Sequence, residues 1–297
     1  MTALKIKNSN ENITFAIISK AFPALLAVCV VLRAVQMLFF IDAETGFYKG
    51  GTLVNTVFTV LIVMGCIGFT VCSFLSKEAG EISLVGVVNK KTGIAALVFS
   101  VALIFDFVSS VAAFLSSEVS FGYGADIKSL MAGGALTSYV RAISALFSSV
   151  YFFSMSKGLR KGSDFVSKHK IIALFPIVWA SVRMVDRFTS KISFMEISDL
   201  FFELVMLSFA ALFFTALSQH TSGIYSTGNA WKLAGYGLGA ALIAGSLSVP
   251  KLIFTIAGSK YITANFGFEL SDLVFCAFVI VLIISYKGNN KTAEQME

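Results

Sequence analysis

Apolar stretches of about 20 residues recur along almost the whole chain, the length a helix needs to cross roughly 30 Å of hydrocarbon. The pattern predicts spans over Ala21–Ile41, Thr52–Leu75, Gly93–Leu115, Leu130–Ser154, Ile171–Phe188, Ile197–Ser218, Leu233–Ala257 and Leu270–Tyr286. A transmembrane barrel would instead show segments of about 10 residues with alternating apolar and polar side chains. Composition agrees with helices in lipid. Hydrophobic residues make up 57% of the chain and charged residues 13%, against about 25% charged in a soluble domain. The connecting segments are short, which excludes a large catalytic domain outside the bilayer. The expected fold class is therefore all-α: a polytopic integral membrane helical bundle of eight transmembrane helices, forming one domain over residues 1–297.

Lysine and arginine set the expected orientation, because short cytoplasmic loops carry the excess. With the N-terminus inside, 14 of the 23 basic residues fall on the inner side and only Lys49, Lys128, Lys191 and Lys260 on the outer side. Both termini are expected in the cytoplasm and the protein in the plasma membrane. Ala21–Ile41 is too long for a signal peptide and no small-residue cleavage site follows it, so it reads as a retained first span. Ile82–Val88 is apolar but too short to span, and is expected along the membrane surface.

Paired echoes hint at a duplication. Phe22-Pro23 and Phe175-Pro176 lie at or near the start of the first and fifth spans, and Phe121-Gly122-Tyr123 and Phe266-Gly267-Phe268 precede the fourth and eighth. They suggest a 4+4 parallel repeat with halves 1–165 and 166–297.

Cys29, Cys66, Cys72 and Cys276 all fall in apolar segments, which points to small core residues and not to disulfides or a zinc site. The basic balance reflects orientation, so no nucleic-acid partner is expected. No nucleoside-triphosphate loop, zinc-protease signature or serine-hydrolase elbow occurs, and no nucleophile–base pair can be argued. The sequence does not point to an enzyme, a cofactor or a metal. The lipid bilayer is the one partner it demands.

Charges inside the spans are the functional signal. Each costs roughly 2.5–3.5 kcal/mol at the bilayer centre unless it meets a partner or water. The hairpin Lys170 to Gln219 holds five: Arg183, Asp186 and Arg187 on one helical face, then Asp199 and Glu203 one turn apart. Depth counting places Arg33, Asp106, Arg141, Arg183, Glu203 and Lys251 between the midplane and the outer surface, with Asp186, Arg187, Asp199 and Asp272 nearer that surface. Polar stripes extend these faces, notably Thr137, Arg141, Ser144 and Ser148, and Asp106, Ser109 and Ser110.

Two readings follow. One is an outward-facing site that binds or transports a small charged solute, with Arg33, Arg141, Arg183 and Lys251 holding anionic groups and Asp106, Asp186 and Glu203 balancing them or carrying protons. The other is a set of ion pairs that only fixes helix register, in a non-transporting sensor, assembly factor or complex subunit. In either case Arg183 or Asp186 is expected to reach Asp199 or Glu203 across the hairpin turn. Gly235 and Gly239 form a small-residue face for close packing, and Pro250 beside Lys251 could open the seventh span.

Overall fold

A computed structural model of the chain describes residues 20–41, 48–75, 89–116, 135–162, 169–189, 197–223, 230–258 and 269–294. Helix accounts for 93% of them. Among the described residues there is no strand, only an isolated antiparallel bridge between Ile41 and Tyr48. The helices are α1 (Lys20–Phe40), α2 (Thr52–Leu75), α3 (Lys90–Ser116), α4 (Ala135–Lys161), α5 (Phe175–Thr189), α6 (Ile197–Thr221), α7 (Ala230–Ile256) and α8 (Leu270–Glu294). The last five residues of α1 are wound as a π-helix, and a 3-10 turn, Lys170–Leu174, leads into α5. Ile82–Val88 and the motifs at 121–123 and 266–268 lie outside the described residues.

Five helices are long and apolar enough to cross a membrane: α1, α2, α3, α6 and α7. The other three fall short for visible reasons. α4 is rich in serine, α5 has 15 residues and carries Arg183, Asp186 and Arg187, and the described apolar part of α8 is Leu270–Ser285. α4 also runs past the expected end at Ser154 to Lys161, because Ser156 and Leu159 are buried against α3 and Gly162, with φ of 71°, closes the last turn. Asn89 ties the start of α3 to that end. Its side chain accepts hydrogen bonds from the N–H groups of Lys91 and Thr92, and its own N–H donates to the carbonyl of Leu159 at 2.8 Å.

Six helices close a ring. α3 packs on α4, α4 on α5, α5 on α6, α6 on α7, α7 on α8 and α8 back on α3, while α2 lies outside the ring against α7. Among the described residues one neighbour pair differs between the halves of the chain. α6 lies firmly against α7, whereas α2 and α3, their counterparts in a duplication, touch at most slightly.

α7 is the hub, and its glycines explain how. Gly235 faces α2, Gly239 faces Phe209 of α6, and a Cβ on Gly237 would come within 2.9 Å of Phe213. Gly245 lies against Leu26 of α1 and Cys276 of α8. The small-residue face thus serves close packing. α7 is not broken at Pro250 but continues through it to Ile256.

Inside the ring the side chains are layered along the axis. An aromatic layer fills the middle, centred on Phe99, whose ring lies 4.6 Å from Phe152, 5.6 Å from Phe278 and 5.9 Å from Phe275. Phe213, Phe214 and Trp179 complete it. Seven residues beyond Phe99 on α3, roughly 10 Å along the axis, stands Asp106 at the charged end of the bundle. Toward the opposite end Tyr151 and Thr221 share a hydrogen bond at 2.9 Å.

Candidate functional site

The charges gather at one end of the bundle because the helices alternate in direction. Residues late in α3, α5 and α7 meet residues early in α4, α6 and α8 at the same level. α5 supplies the centre. Its i, i+3, i+4 spacing puts Arg183, Asp186 and Arg187 on one face, with Trp179 one turn below Arg183.

Arg183 is 1% exposed and donates two parallel hydrogen bonds to Asp272, Nη1 to Oδ1 at 2.6 Å and Nη2 to Oδ2 at 3.1 Å. Nη2 also pairs with Glu269 and lies 3.5 Å from Glu203. The guanidinium sits 5.0 Å from the Trp179 ring, a cation–π contact. Arg187 donates from Nε to Glu203 at 2.9 Å and from Nη2 to Glu269 at 3.0 Å. Arg141, arriving from α4, lies 2.5 Å from Asp106, 3.2 Å from Glu269 and 3.5 Å from Asp186. The second oxygen of Asp106 accepts the Trp179 indole N–H at 2.6 Å, which ties the charged layer to the aromatic layer beneath it.

Three arginines are thus shared among five carboxylates: Asp106, Asp186, Glu203, Glu269 and Asp272. With all groups ionised, the described residues of this cluster carry two excess negative charges. Carboxylate oxygens of Glu203, Glu269 and Asp272 lie within 4.8 Å of one another. Arginines already occupy all three, so a metal held there would have to displace guanidinium groups.

A smaller cluster joins α1, α6 and α7. Arg33, 1% exposed, pairs with Asp199 and donates to Gln36 at 2.9 Å and to the Tyr48 hydroxyl at 3.0 Å. Lys251 Nζ lies 3.6 Å from the other oxygen of Asp199, and Phe58 underlies Arg33 at 5.9 Å. Among the described residues two cations here face one acid, the reverse of the larger cluster. Gln36 opens the π-helical end of α1, and its amide also reaches the Val54 carbonyl at 3.4 Å.

A cavity of about 440 Å³ opens beside the larger cluster, between α3, α4, α5 and the start of α8. Asp106, Arg141, Asp186 and Glu269 supply its charge. Ser109, Ser110, Ser138 and Ser271 supply hydroxyls, and Ala102, Phe105 and Leu270 an apolar wall. Its volume falls within the range of small-molecule sites, about 300–1,000 Å³. The Ser110 hydroxyl is buried on this wall with no hydrogen-bond partner among the described residues, an omission that costs about 1–3 kcal/mol if nothing completes it. Arg141 Nε is likewise buried and unbonded.

All seven residues singled out from the sequence lie in these two clusters. Asp106, Arg141, Arg183, Asp186 and Glu203 meet in the larger, and Arg33 and Lys251 in the smaller. The hairpin contact is present as Arg183–Glu203, whereas Asp199 turns to α1 and α7. Every one of the four cations expected to hold anionic groups is held by a carboxylate of the chain itself. The serine stripes are less available than their spacing suggested. Ser144 donates to the Arg141 carbonyl, Ser148 to the Ser144 carbonyl and Ser109 to the Asp106 carbonyl.

Sequence reasoning missed Glu269, which bridges all three arginines of the larger cluster. It also missed Trp179 and Tyr48 as partners of buried charges. The signals existed, since Glu269 stands just before α8, three residues ahead of Asp272, and Trp179 stands four before Arg183 on the same face of α5. No known protein family, curated protein or solved structure matches this chain.

Proposed function

We propose that the chain is a multi-pass plasma-membrane protein in which all eight helices span, both termini face the cytoplasm, and the cavity binds a small charged solute from the outer side. The observation that supports this reading is the coincidence of the cavity with an excess of buried acids among the described residues. Asp106, Arg141 and Asp186 line the binding space, Arg183 and Glu203 brace it, and Arg33 and Lys251 fix the neighbouring helices. Membership of the ring supports counting α4, α5 and α8 as spans, since their polar faces meet partners and not lipid. The 3-10 turn and α5 together reach about 32 Å, enough for the hydrocarbon core. The aromatic layer beneath Asp106 closes the far side of the site, as in a binding protein or a transporter facing one way.

A second reading, a non-transporting sensor, assembly factor or complex subunit, draws on Arg33 and Arg183. Both are 1% exposed and paired, as register-fixing ions would be. Cysteine accessibility separates the two. Ser138→Cys on the cavity wall, in a Cys72→Ala background, should react with a small, membrane-impermeant thiol reagent in folded protein. A thiol that reacts only after unfolding leaves the cavity closed and favours the second reading.

A further inference from the structure

We infer that the cavity between α3, α4, α5 and α8 takes a small organic cation, its ammonium group set against Asp186 and the Ser110 hydroxyl and its carbon skeleton against Phe105 and Leu270. This rests on the solute-binding reading and names the solute's charge.

The lining decides the sign. Among the described residues it contributes Asp106, Asp186 and Glu269 against Arg141, and the cluster behind it still counts five carboxylates to three arginines, so the described charge favours an entering cation. An entering anion would find every terminal nitrogen of Arg141 already facing a carboxylate. Asp186 is the most accessible of the three acids, with 26% of its side chain exposed while it pairs with Arg141 at 3.5 Å.

Ser110 is independent of the charge count. It is 4% exposed, its hydroxyl has no partner among the described residues, and it lines the cavity. A hydroxyl accepts from an ammonium N–H, so the same ligand that answers the charge completes this buried group. Phe105 and Leu270 provide an apolar wall that a solvated inorganic ion would not use. The acids of the lining are held by arginine and tryptophan donors, which leaves few oxygens to encircle a metal.

The test is an isosteric series on the full chain in detergent: leucinamide, leucine and 2-hydroxy-4-methylpentanoate, which carry charges of +1, 0 and −1 on nearly the same skeleton. Leucinamide should raise the apparent melting temperature dose-dependently, leucine less, and the hydroxy acid not at all. Asp186→Asn should raise the leucinamide concentration needed about tenfold, and Ser110→Ala by several-fold, the loss expected for a charged and a neutral hydrogen bond. Leucinamide should also slow modification of Ser138→Cys, a readout that does not depend on variant stability. Equal or greater stabilisation by leucine or the hydroxy acid overturns the inference. So does an unchanged leucinamide response in Asp186→Asn. Failure of all three compounds while Ser138→Cys stays reactive overturns the cation assignment but leaves an open solute site. An unreactive Ser138→Cys overturns both.

Discussion

Replacing Arg183 by methionine should be among the most damaging single changes in the bundle, and the structure says which partner makes it so. Arg183 has four neighbours: Asp272 through two hydrogen bonds at 2.6 and 3.1 Å, Glu269, Glu203 at 3.5 Å, and the Trp179 ring at 5.0 Å. A single ion pair at 4 Å amounts to about 4 kcal/mol at an effective dielectric constant near 20. The three acids do not lose equally. Glu203 keeps Arg187 at 2.9 Å, and Glu269 keeps Arg187 at 3.0 Å and Arg141 at 3.2 Å. Asp272 keeps no other cation among the described residues.

The loss is therefore close to that of one broken buried pair, about 3–5 kcal/mol. At about 2–4 °C per kcal/mol for a chain of this size class, the apparent melting temperature in detergent should fall by roughly 6–20 °C. Scan rate must be fixed, since unfolding of such proteins is commonly irreversible. Adding Asp272→Asn should recover at least half of the fall, because it removes the charge left without a partner. A fall below about 2 °C, or a double variant as unstable as the two single losses combined, refutes the assignment of Asp272 as the partner that matters.

Two further outcomes follow from packing and charge placement. A Cβ on Gly65 of α2 would lie 2.6 Å from Leu242 and 2.8 Å from Leu25, so Gly65→Ala should cost about 1–3 kcal/mol. Gly68→Ala, which meets nothing within 4 Å, should be neutral or mildly stabilising, and equal effects on detergent melting would discount the close approach of α1, α2 and α7. On topology, a reporter fused after Glu297 should behave as cytoplasmic, and a cysteine placed within Thr45–Gly51 should react with an impermeant thiol reagent on intact cells. Labelling of that cysteine only after lysis reverses the orientation.

How far the sequence revealed this arrangement depends on periodicity. Helix positions were readable because apolar length is a local property, and α2 runs over Thr52–Leu75 as the pattern predicts. The level of the charges was readable too, since a fixed rise per residue converts position along a span into depth. Pairing was legible only where the chain turns back at once, as between Arg183 and Glu203. Asp106 with Arg141, or Arg33 with Asp199, depends on which helices adjoin, and a 3.6-residue period carries no such information. Glu269 was lost to a boundary. It precedes the first residue of α8, where composition reads as loop, yet it bridges three arginines. Serine hydroxyls misled for the opposite reason, because spacing cannot reveal that Ser144 and Ser148 bond back to their own helix.

The two clusters are best understood together. Asp199 and Glu203 lie one turn apart on α6, so that helix joins two groups whose described residues count one excess positive charge and two excess negative charges. If register alone were at stake, matched pairs would suffice, and each unmatched ion taken out of water carries a penalty of several kcal/mol. The imbalance is not spread evenly. Arg33 and Arg183, each 1% exposed, are enclosed by their carboxylate partners where no water is needed. The cavity lining instead holds three of the five acids of the larger cluster and one of its three arginines. Excess charge and open volume therefore fall at the same place. A hydrated or ligand-filled cavity can hold that excess at little cost, whereas a dry bundle could not. The tightly paired arginines join the helices around the cavity, and three of the five described acids of the larger cluster lie on its wall.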